Sequence, residues 1–487
     1  MKAFTLAALM SLAALTATAQ SPTERVRAAE VLRTSLRMLG SDDDARFAAF
    51  EVTLEARASR ASWVQARSWY DPVLPASPTR LRYLVDARNE RAVFELRSPS
   101  PGGIWFHNLT SYDASGAAQV DLLKWRTGTD INRGTAAAAR SAIAGLEQLV
   151  PHGLVRQALR SDSTLSYEGE LRRAGTVAHL LSYTESASQQ RISIEVDAGT
   201  MLPTASTVGP NRFEFSDYRQ VDGVRVAHKR TQITSGLQTN VLTVVGMDVT
   251  PRLEAGRFAL PPGYVDAPAA GAPRAVRIGE GVYRLDGMPG GYHAAFVVGE
   301  EGVQVIEAPL NAQFSAAALQ VIAETAPGKP VTHVMITHHH SDHVGGLGPY
   351  VARGARVVVH RGLGEAIRQQ LPDSLRGVAQ IIPAVAGWRL GNGTSRIVAL
   401  PVPNEHADGN IAWWMPGSGV LVQGDLLYVP ERGPVPAAFP VTAALQRALD
   451  DARISPRLIV GIHGRTATPS DLAESLLKAR EDGFLVP

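Results

Sequence analysis

The sequence predicts an α+β chain of two domains: an N-terminal antiparallel β-sheet with a few helices, then a C-terminal domain of alternating strands and helices. Three observations predict it. The 487 residues exceed what one hydrophobic core ordinarily serves. The hydrophobic pattern changes along the chain, from closely spaced alternating strands to a strand–helix alternation. Between the two lies 261–275, Pro-Pro-Gly-Tyr-Val-Asp-Ala-Pro-Ala-Ala-Gly-Ala-Pro-Arg-Ala, through which no hydrophobic period runs. The predicted division is therefore a domain at 20–260, a linker at 261–275 and a domain at 276–487.

Ahead of both, residues 1–19 read as a secretory signal peptide. One Lys precedes an apolar run, and Ala17-Thr18-Ala19 offers small residues for cleavage. The expected location is the periplasm or the exterior. No Cys follows the cleavage site to carry a lipid anchor, and no later segment supplies 18 consecutive apolar residues, so no membrane span is expected. With 48 Lys+Arg against 46 Asp+Glu, the net charge of +2 gives no electrostatic reason to expect a nucleic-acid partner. The absence of Cys excludes disulfides, thiol nucleophiles and Cys-ligated metal, so any metal must be held by His, Asp or Glu.

In chain order, 24–39 is the first predicted helix, with Val26, Ala29, Leu32, Leu36 and Leu39 on one face. Alternating runs at 50–56, 79–85, 92–96 and 104–108 predict strands. Helices are predicted at 135–149, with Thr135 as N-cap, and at 151–160. Strands follow at 164–171, 176–184, 190–196, 213–219, 224–234 and 239–248. The histidines of this half (His107, His152, His179, His228) are isolated, and no catalytic constellation stands among them. After the linker, strands are predicted at 294–299, 302–307, 331–336, 356–360, 395–401, 411–415, 419–424 and 457–462. Helices are predicted near 313–326, 345–353 and 361–371 and from Ser470.

The chemistry concentrates where the strand Val331–Thr337 runs into His338-His339-His340-Ser341-Asp342-His343-Val344-Gly345-Gly346. Residues two apart in an extended chain point the same way, so His338 and His340 can serve one metal while His339 points elsewhere. Asp342 and His343 lie past the turn and can face a second metal. Only 13 of 487 residues are His, so this clustering is specific. Imidazoles gathered at a strand end need partners, and a metal ion supplies them.

The His-x-His-x-Asp-His-x-Gly-Gly motif after a strand resembles the metallo-β-lactamase superfamily, whose fold is a four-layer αβ/βα sandwich. Three further stations match in order. They are His406 in Pro-Asn-Glu-His-Ala-Asp-Gly, Asp425 in Val-Gln-Gly-Asp-Leu-Leu-Tyr, and His463 in Val-Gly-Ile-His-Gly. The resemblance implies one site of His338, His340 and His406, a second of Asp342, His343 and His463, and Asp425 shared between them. It implies two Zn²⁺ ions, with iron or manganese also compatible with these donors. The early family strand usually ends in Asp. Here it ends in Glu307, implied to orient the metal loop from behind the ligands. A weaker likeness joins Phe213–Val226 and Arg257–Tyr264 to the half-open β-barrel of the lipoprotein-carrier superfamily. It implies a curved N-terminal sheet able to cover an apolar ligand.

By that resemblance the chain is expected to be a secreted dinuclear zinc hydrolase. A metal-bound hydroxide would attack an activated carbonyl of a small molecule, an ester, lactone, thioester or amide, with Asp342 moving the proton. Tyr428, three residues after Asp425, matches the Asp-x-x-Tyr spacing of related lactone hydrolases, where the phenol bonds the substrate carbonyl. His293, after Gly290-Gly291-Tyr292, is expected at the pocket rim, and Arg465 is a weaker candidate for a substrate carboxylate. The rival readings are a β-lactamase, a phosphoester or sulfoester hydrolase, and a lipid or lipoprotein carrier with a secondary metal site.

Overall fold

The computed structural model describes residues 22–41, 48–59, 63–173, 175–269 and 271–486. The signal-peptide pattern at 1–19 lies outside the described residues. The described residues gather into two compact units, those of 22–41 with those of 144–236, and those of 48–143 with those of 237–486.

In the first unit, a six-stranded antiparallel sheet runs in the order Val224–Thr234, Asn211–Val221, Pro203–Val208, Arg191–Asp197, Thr176–Thr184, Ser166–Arg173. The helices Pro22–Met38 and Pro151–Arg160 bury Leu32, Leu36, Leu154 and Val155 in one cluster with Tyr183, Ile194 and Phe215. The first helix lies where the periodicity predicts it, but its buried stripe is Ala28, Ala29, Val31, Leu32 and Leu36. Val26, assigned to that face from spacing, is 54% exposed. The strand Pro203–Val208 was not predicted, because its Pro and Thr content reads as a turn.

The second unit opens with eight strands in the order Val265–Asp266, Asp130–Gly134, Gly116–Asp121, Ile104–Asp113, Arg91–Ser100, Thr79–Asp86, Ala49–Ala58, Leu237–Asp248. All neighbours given a register are antiparallel except the first pair, in which two residues of the 261–275 stretch lie parallel to Asp130–Ile131. Thr135 starts the next helix, its Oγ1 accepting from Ala138 N at 3.2 Å.

The remainder is the expected four-layer sandwich. A seven-stranded sheet runs from the hairpin Arg274–Gly279/Val282–Asp286 through Ala294–Val298, Val303–Ile306, Val331–Met335 and Arg356–His360 to Ile381–Ala384. A five-stranded sheet holds Arg389–Leu390, Ile397–Pro401, Ile411–Met415, Val420–Val422 and Leu458–Val460. The two sheets share a dry interior. Val297, Ile306, Met335 and Val358 of one meet Ala399, Ile411, Trp413 and Val422 of the other. Helix Ala312–Thr325 covers the outer face of the first sheet through Phe314, Ala318 and Ile322. Helices Pro440–Ala452 and Pro469–Asp482 cover the second through Leu445, Leu449, Leu472 and Leu476. The strands buried on both faces are near-continuous apolar runs, as a two-sided covering requires. Among the described residues, no helix is long and apolar enough to cross a membrane.

Candidate metal centre and cleft

The strand Val331–Met335 delivers its C-terminal end into a turn that becomes the one-turn helix Ser341–Val344. Gly345 permits that geometry: a Cβ there would stand 2.1 Å from the Leu310 carbonyl oxygen. His338, His340 and His343 are thereby carried inward, each at most 1% exposed. The loop 403–409 brings in His406. The Asn404 side-chain carbonyl fixes it by accepting from the main-chain N–H of His406 (2.8 Å) and of Ala407 (3.1 Å). Asp425 follows the strand Val420–Val422, and His463 follows Leu458–Val460.

All seven side chains singled out from the sequence converge. Two sets form, His338, His340, His406 with Asp425, and Asp342, His343, His463 with Asp425. Within each set, potential ligand atoms lie within 4.8 Å of one another. Asp425 stands between the sets. Its Oδ2 lies 3.3 Å from both His343 Nε2 and His406 Nε2, and its Oδ1 lies 3.5 Å from His463 Nε2.

The outward ring nitrogens are tied down. His343 Nδ1 donates to Glu307 Oε2 at 2.7 Å, while Glu307 Oε1 accepts from Thr337 N at 2.6 Å. The fully buried Glu307 thus braces both ends of the histidine turn, at a left-handed φ of 76°. His338 Nδ1 pairs with Thr337 Oγ1 at 3.0 Å. Two further partners come from far upstream. His340 Nε2 donates to the Ala66 carbonyl at 3.0 Å, and His406 Nδ1 donates to the Pro101 carbonyl at 3.1 Å. Gly102 completes that contact. With φ 81°, it brings the chain so close that a Cβ would stand 2.8 Å from His406 Cβ. Around the Trp63–Gln65 turn, Gln65 Nε2 donates to Asp342 Oδ1 (2.8 Å) and to Ser341 Oγ (3.1 Å). Arg67 reaches Glu405 and Asp408 beside the His406 loop.

What stays unsatisfied is informative. His338 Nε2, His343 Nε2, His406 Nε2 and Asp425 Oδ1 are buried without a hydrogen-bond partner among the described residues. Burial of that kind is costly unless a cation supplies the missing partner. Burial pushes the His338 and His340 imidazoles well below the ordinary range, and His463 down to about 4, which leaves neutral lone pairs. Burial alone would raise Asp425, but His343, His406 and His463 hold it well below the usual carboxylate range. His343 differs: its burial would lower it, but Asp425, Glu307 and Asp342 raise it well above the ordinary range, so a cation there would take the place of its inward proton. Neutral His338, His340 and His463 around an ionised Asp425 fit divalent cations.

A cleft of about 50 Å³ opens mainly on the second set, lined by Tyr292, Asp342, His463, Tyr428, Trp125 and Arg126 among others, with His406 of the first set also at its wall. Tyr428 is buried against Trp125 (ring centroids 4.4 Å) and Phe439. Burial, then the charges of Asp425 and Asp342, push its phenol far above the ordinary value, so it stays a donor. His293 does not line the cleft. Its Nδ1 donates to the Leu285 carbonyl at 3.1 Å and its Nε2 lies 3.2 Å from Glu431. The neighbouring Tyr292 lines the cleft instead, its hydroxyl donating to Asp342 Oδ2 at 3.1 Å. Successive side chains of extended backbone point to opposite sides, so an expectation one residue off reaches the wrong side. Arg465 is likewise absent from the lining and is paired with Asp471 at the start of helix Pro469–Asp482.

Residues 288–465 match the model described as the metallo-beta-lactamase superfamily. This region belongs to that superfamily. Two curated relatives, both named hydroxyacylglutathione hydrolase, lie within this similarity. That of Methylococcus capsulatus is 34% identical over 104 residues, 21% of this chain and 36% of the relative. That of Rhodobacter capsulatus is 35% identical over 96 residues, 20% of this chain and 33% of the relative. The chain thus spans about a third of the length of the curated relatives it matches. Among solved structures, a metallo-beta-lactamase from Pontibacter korlensis covers 43% of this chain and 99% of its own, with 16% identity and a TM-score of 0.35. The superfamily match ends short of the upstream segments that supply Gln65, the Ala66 and Pro101 carbonyls, Trp125 and Arg126.

Proposed function

We propose that the chain is an exported metal-dependent hydrolase that cleaves an activated carbonyl of a small molecule, an ester, lactone, thioester or amide. The observation that carries this reading is the paired set of seven inward side chains with orphaned ligand atoms, open to a cleft at one side. His338, His340 and His406 would hold one ion, Asp342, His343 and His463 a second, and Asp425 both. The all-His/Asp donor set suits zinc, and it also admits iron or manganese. When bound, the ions would acidify a water and polarise the substrate carbonyl.

The chain's own groups have definable parts. Glu307, Ala66 and Pro101 fix which nitrogen of His343, His340 and His406 faces inward. Asp342 is kept ionised by His343 and by the Gln65 amide against the pull of its own burial, so it can accept a proton. The Tyr428 phenol, still protonated, would donate to the oxygen on which charge develops. The 1–19 pattern supports export. The hydroxyacylglutathione hydrolase relatives favour an acyl substrate over a phosphoester. A β-lactam remains within the same carbonyl chemistry.

The test is metal analysis of the purified protein with a panel of chromogenic esters, lactones, thioesters, β-lactams and phosphodiesters. The expected result is about two ions per chain and carbonyl hydrolysis that a chelator abolishes and Zn²⁺ restores. Hydrolysis confined to phosphodiesters would overturn the substrate class. Full activity without bound metal would overturn the mechanism.

A further inference from the structure

Residues 121–126 form a rigid loop that ends at the cleft. The Asp121 carboxylate accepts from the main-chain N–H of Leu123 (3.0 Å) and of Arg126 (2.8 Å), and so draws the chain into a tight turn. Trp125 anchors the turn. It is 3% exposed, donates its indole N–H to the Trp105 carbonyl at 2.8 Å, and packs edge-on against Tyr428 and Phe439. With Trp125 fixed inward, Arg126 is left exposed at the cleft rim beside Tyr428, Tyr292 and His463. Its charge is felt by all three of those groups. Among the described residues, its guanidinium has no ion pair or side-chain hydrogen bond, unlike Arg67, Arg284, Arg432 and Arg465, which are each paired with a carboxylate. Apart from Gln65, Ser100 and the converging His and Asp side chains, the lining is apolar or aromatic: Ile104, Phe106, Trp125, Tyr292 and Tyr428.

We infer that Arg126 is a substrate-binding residue, and that the substrate is an acyl compound bearing a carboxylate beside the bond to be cleaved, with an apolar body against the aromatic wall. The inference rests on the hydrolase reading above. A guanidinium on a rigid loop offers parallel N–H donors that match the two oxygens of a carboxylate, and little freedom is lost when they engage. The aromatic wall excludes water from one side of that pair and strengthens it.

The test compares two esters of one dicarboxylic acid with the same chromogenic leaving group. In one the second carboxyl is free, and in the other it is a methyl ester. The zinc-loaded enzyme is expected to favour the free acid, and Arg126→Ala to lower the free-acid/methyl-ester ratio of kcat/KM about ten- to hundredfold, mainly through KM. Arg126→Lys should recover part of the ratio, and Arg126→Glu should invert it. Metal content and thermal midpoint, measured alongside, report whether the variants remain folded and loaded. Hydrolysis of both esters with a ratio that no variant moves would overturn the role of Arg126 and leave the hydrolase reading intact. Absence of hydrolysis of both esters and of every carbonyl compound in the panel above, by the fully loaded wild type, would overturn the hydrolase reading itself.

Discussion

The two halves of the candidate metal centre share Asp425 but are fastened from different stretches of chain. The set of His338, His340 and His406 is wholly buried, and two of its three rings donate to main-chain carbonyls at Ala66 and Pro101, upstream of the superfamily region. The set of Asp342, His343 and His463 is partly open to the cleft. It is braced mainly by Glu307 and Tyr292, which lie inside that region. One half therefore carries its own supports, and the other borrows them from two upstream turns, at Ala66 and Pro101, that precede the matched residues 288–465. Gln65, from upstream, also serves the open half through its bond to Asp342.

Three substitutions would sharpen or break that contrast. The largest effect is expected at Glu307→Gln. An amide keeps an oxygen for Thr337 N but turns an N–H₂ toward the Nδ1–H of His343. The ring must then turn or exchange its proton to the nitrogen that faces inward. Zinc affinity at the open half should fall about ten- to hundredfold while the buried half is spared. Stepwise zinc titration against a competing chelator reads both halves, and an equal loss at both would dissolve the distinction. Gly102→Ala is expected to act in the opposite sense. The new methyl meets His406 at a left-handed φ, so the buried half should lose about tenfold in affinity, with a lower denaturation midpoint. Unchanged first-ion affinity would show that the Pro101 carbonyl is dispensable. The smallest effect is expected at His293, outside both halves.

Burial lowers the His293 imidazole's affinity for a proton, but hydrogen bonds to Asp286 and Glu431 outweigh this and leave its pKa above the ordinary value. A raised pKa stabilises the folded state fully below about pH 6.5, and that contribution disappears as pH climbs through the folded value. His293→Gln should therefore cost more stability at pH 6 than at pH 8.5, as read from urea midpoints, while hydrolysis changes little. A cost independent of pH would mean that the ring is held as a neutral spacer.

The ligand set was legible because metal chemistry restricts residue type. Without Cys only His, Asp and Glu can serve, and with 13 histidines in the chain their spacing stands out. The supports were not legible. A carbonyl belongs to every residue, so neither Ala66 nor Pro101 carries a signal in its side chain, and each acts across more than 270 positions of sequence. Gln65, Trp125 and Arg126 were passed over because the region before 260 holds no constellation of its own. They acquire meaning only against Asp342 and Tyr428. Most of the sandwich strands were visible as apolar runs, but the short Ile381–Ala384 and Arg389–Leu390 were not. Nor was the hairpin Arg274–Gly279/Val282–Asp286, since Arg277 and Arg284 interrupt its pattern, and Arg284 is buried with its charge paired to Asp286 and donating to the Gly464 carbonyl. Helix Pro440–Ala452 was missed because its opening Pro and Val read as the end of the preceding Pro-rich loop.

The upstream carbonyls bear on how such a gene can be trimmed. A fragment begun at residue 288 would keep all seven converging side chains. It would lose Ala66, Pro101 and the Gly102 approach that settles the rings of His340 and His406. Those rings would be free to spin between alternatives that the intact polypeptide forbids. The unit that fixes these rings is longer than the matched residues 288–465.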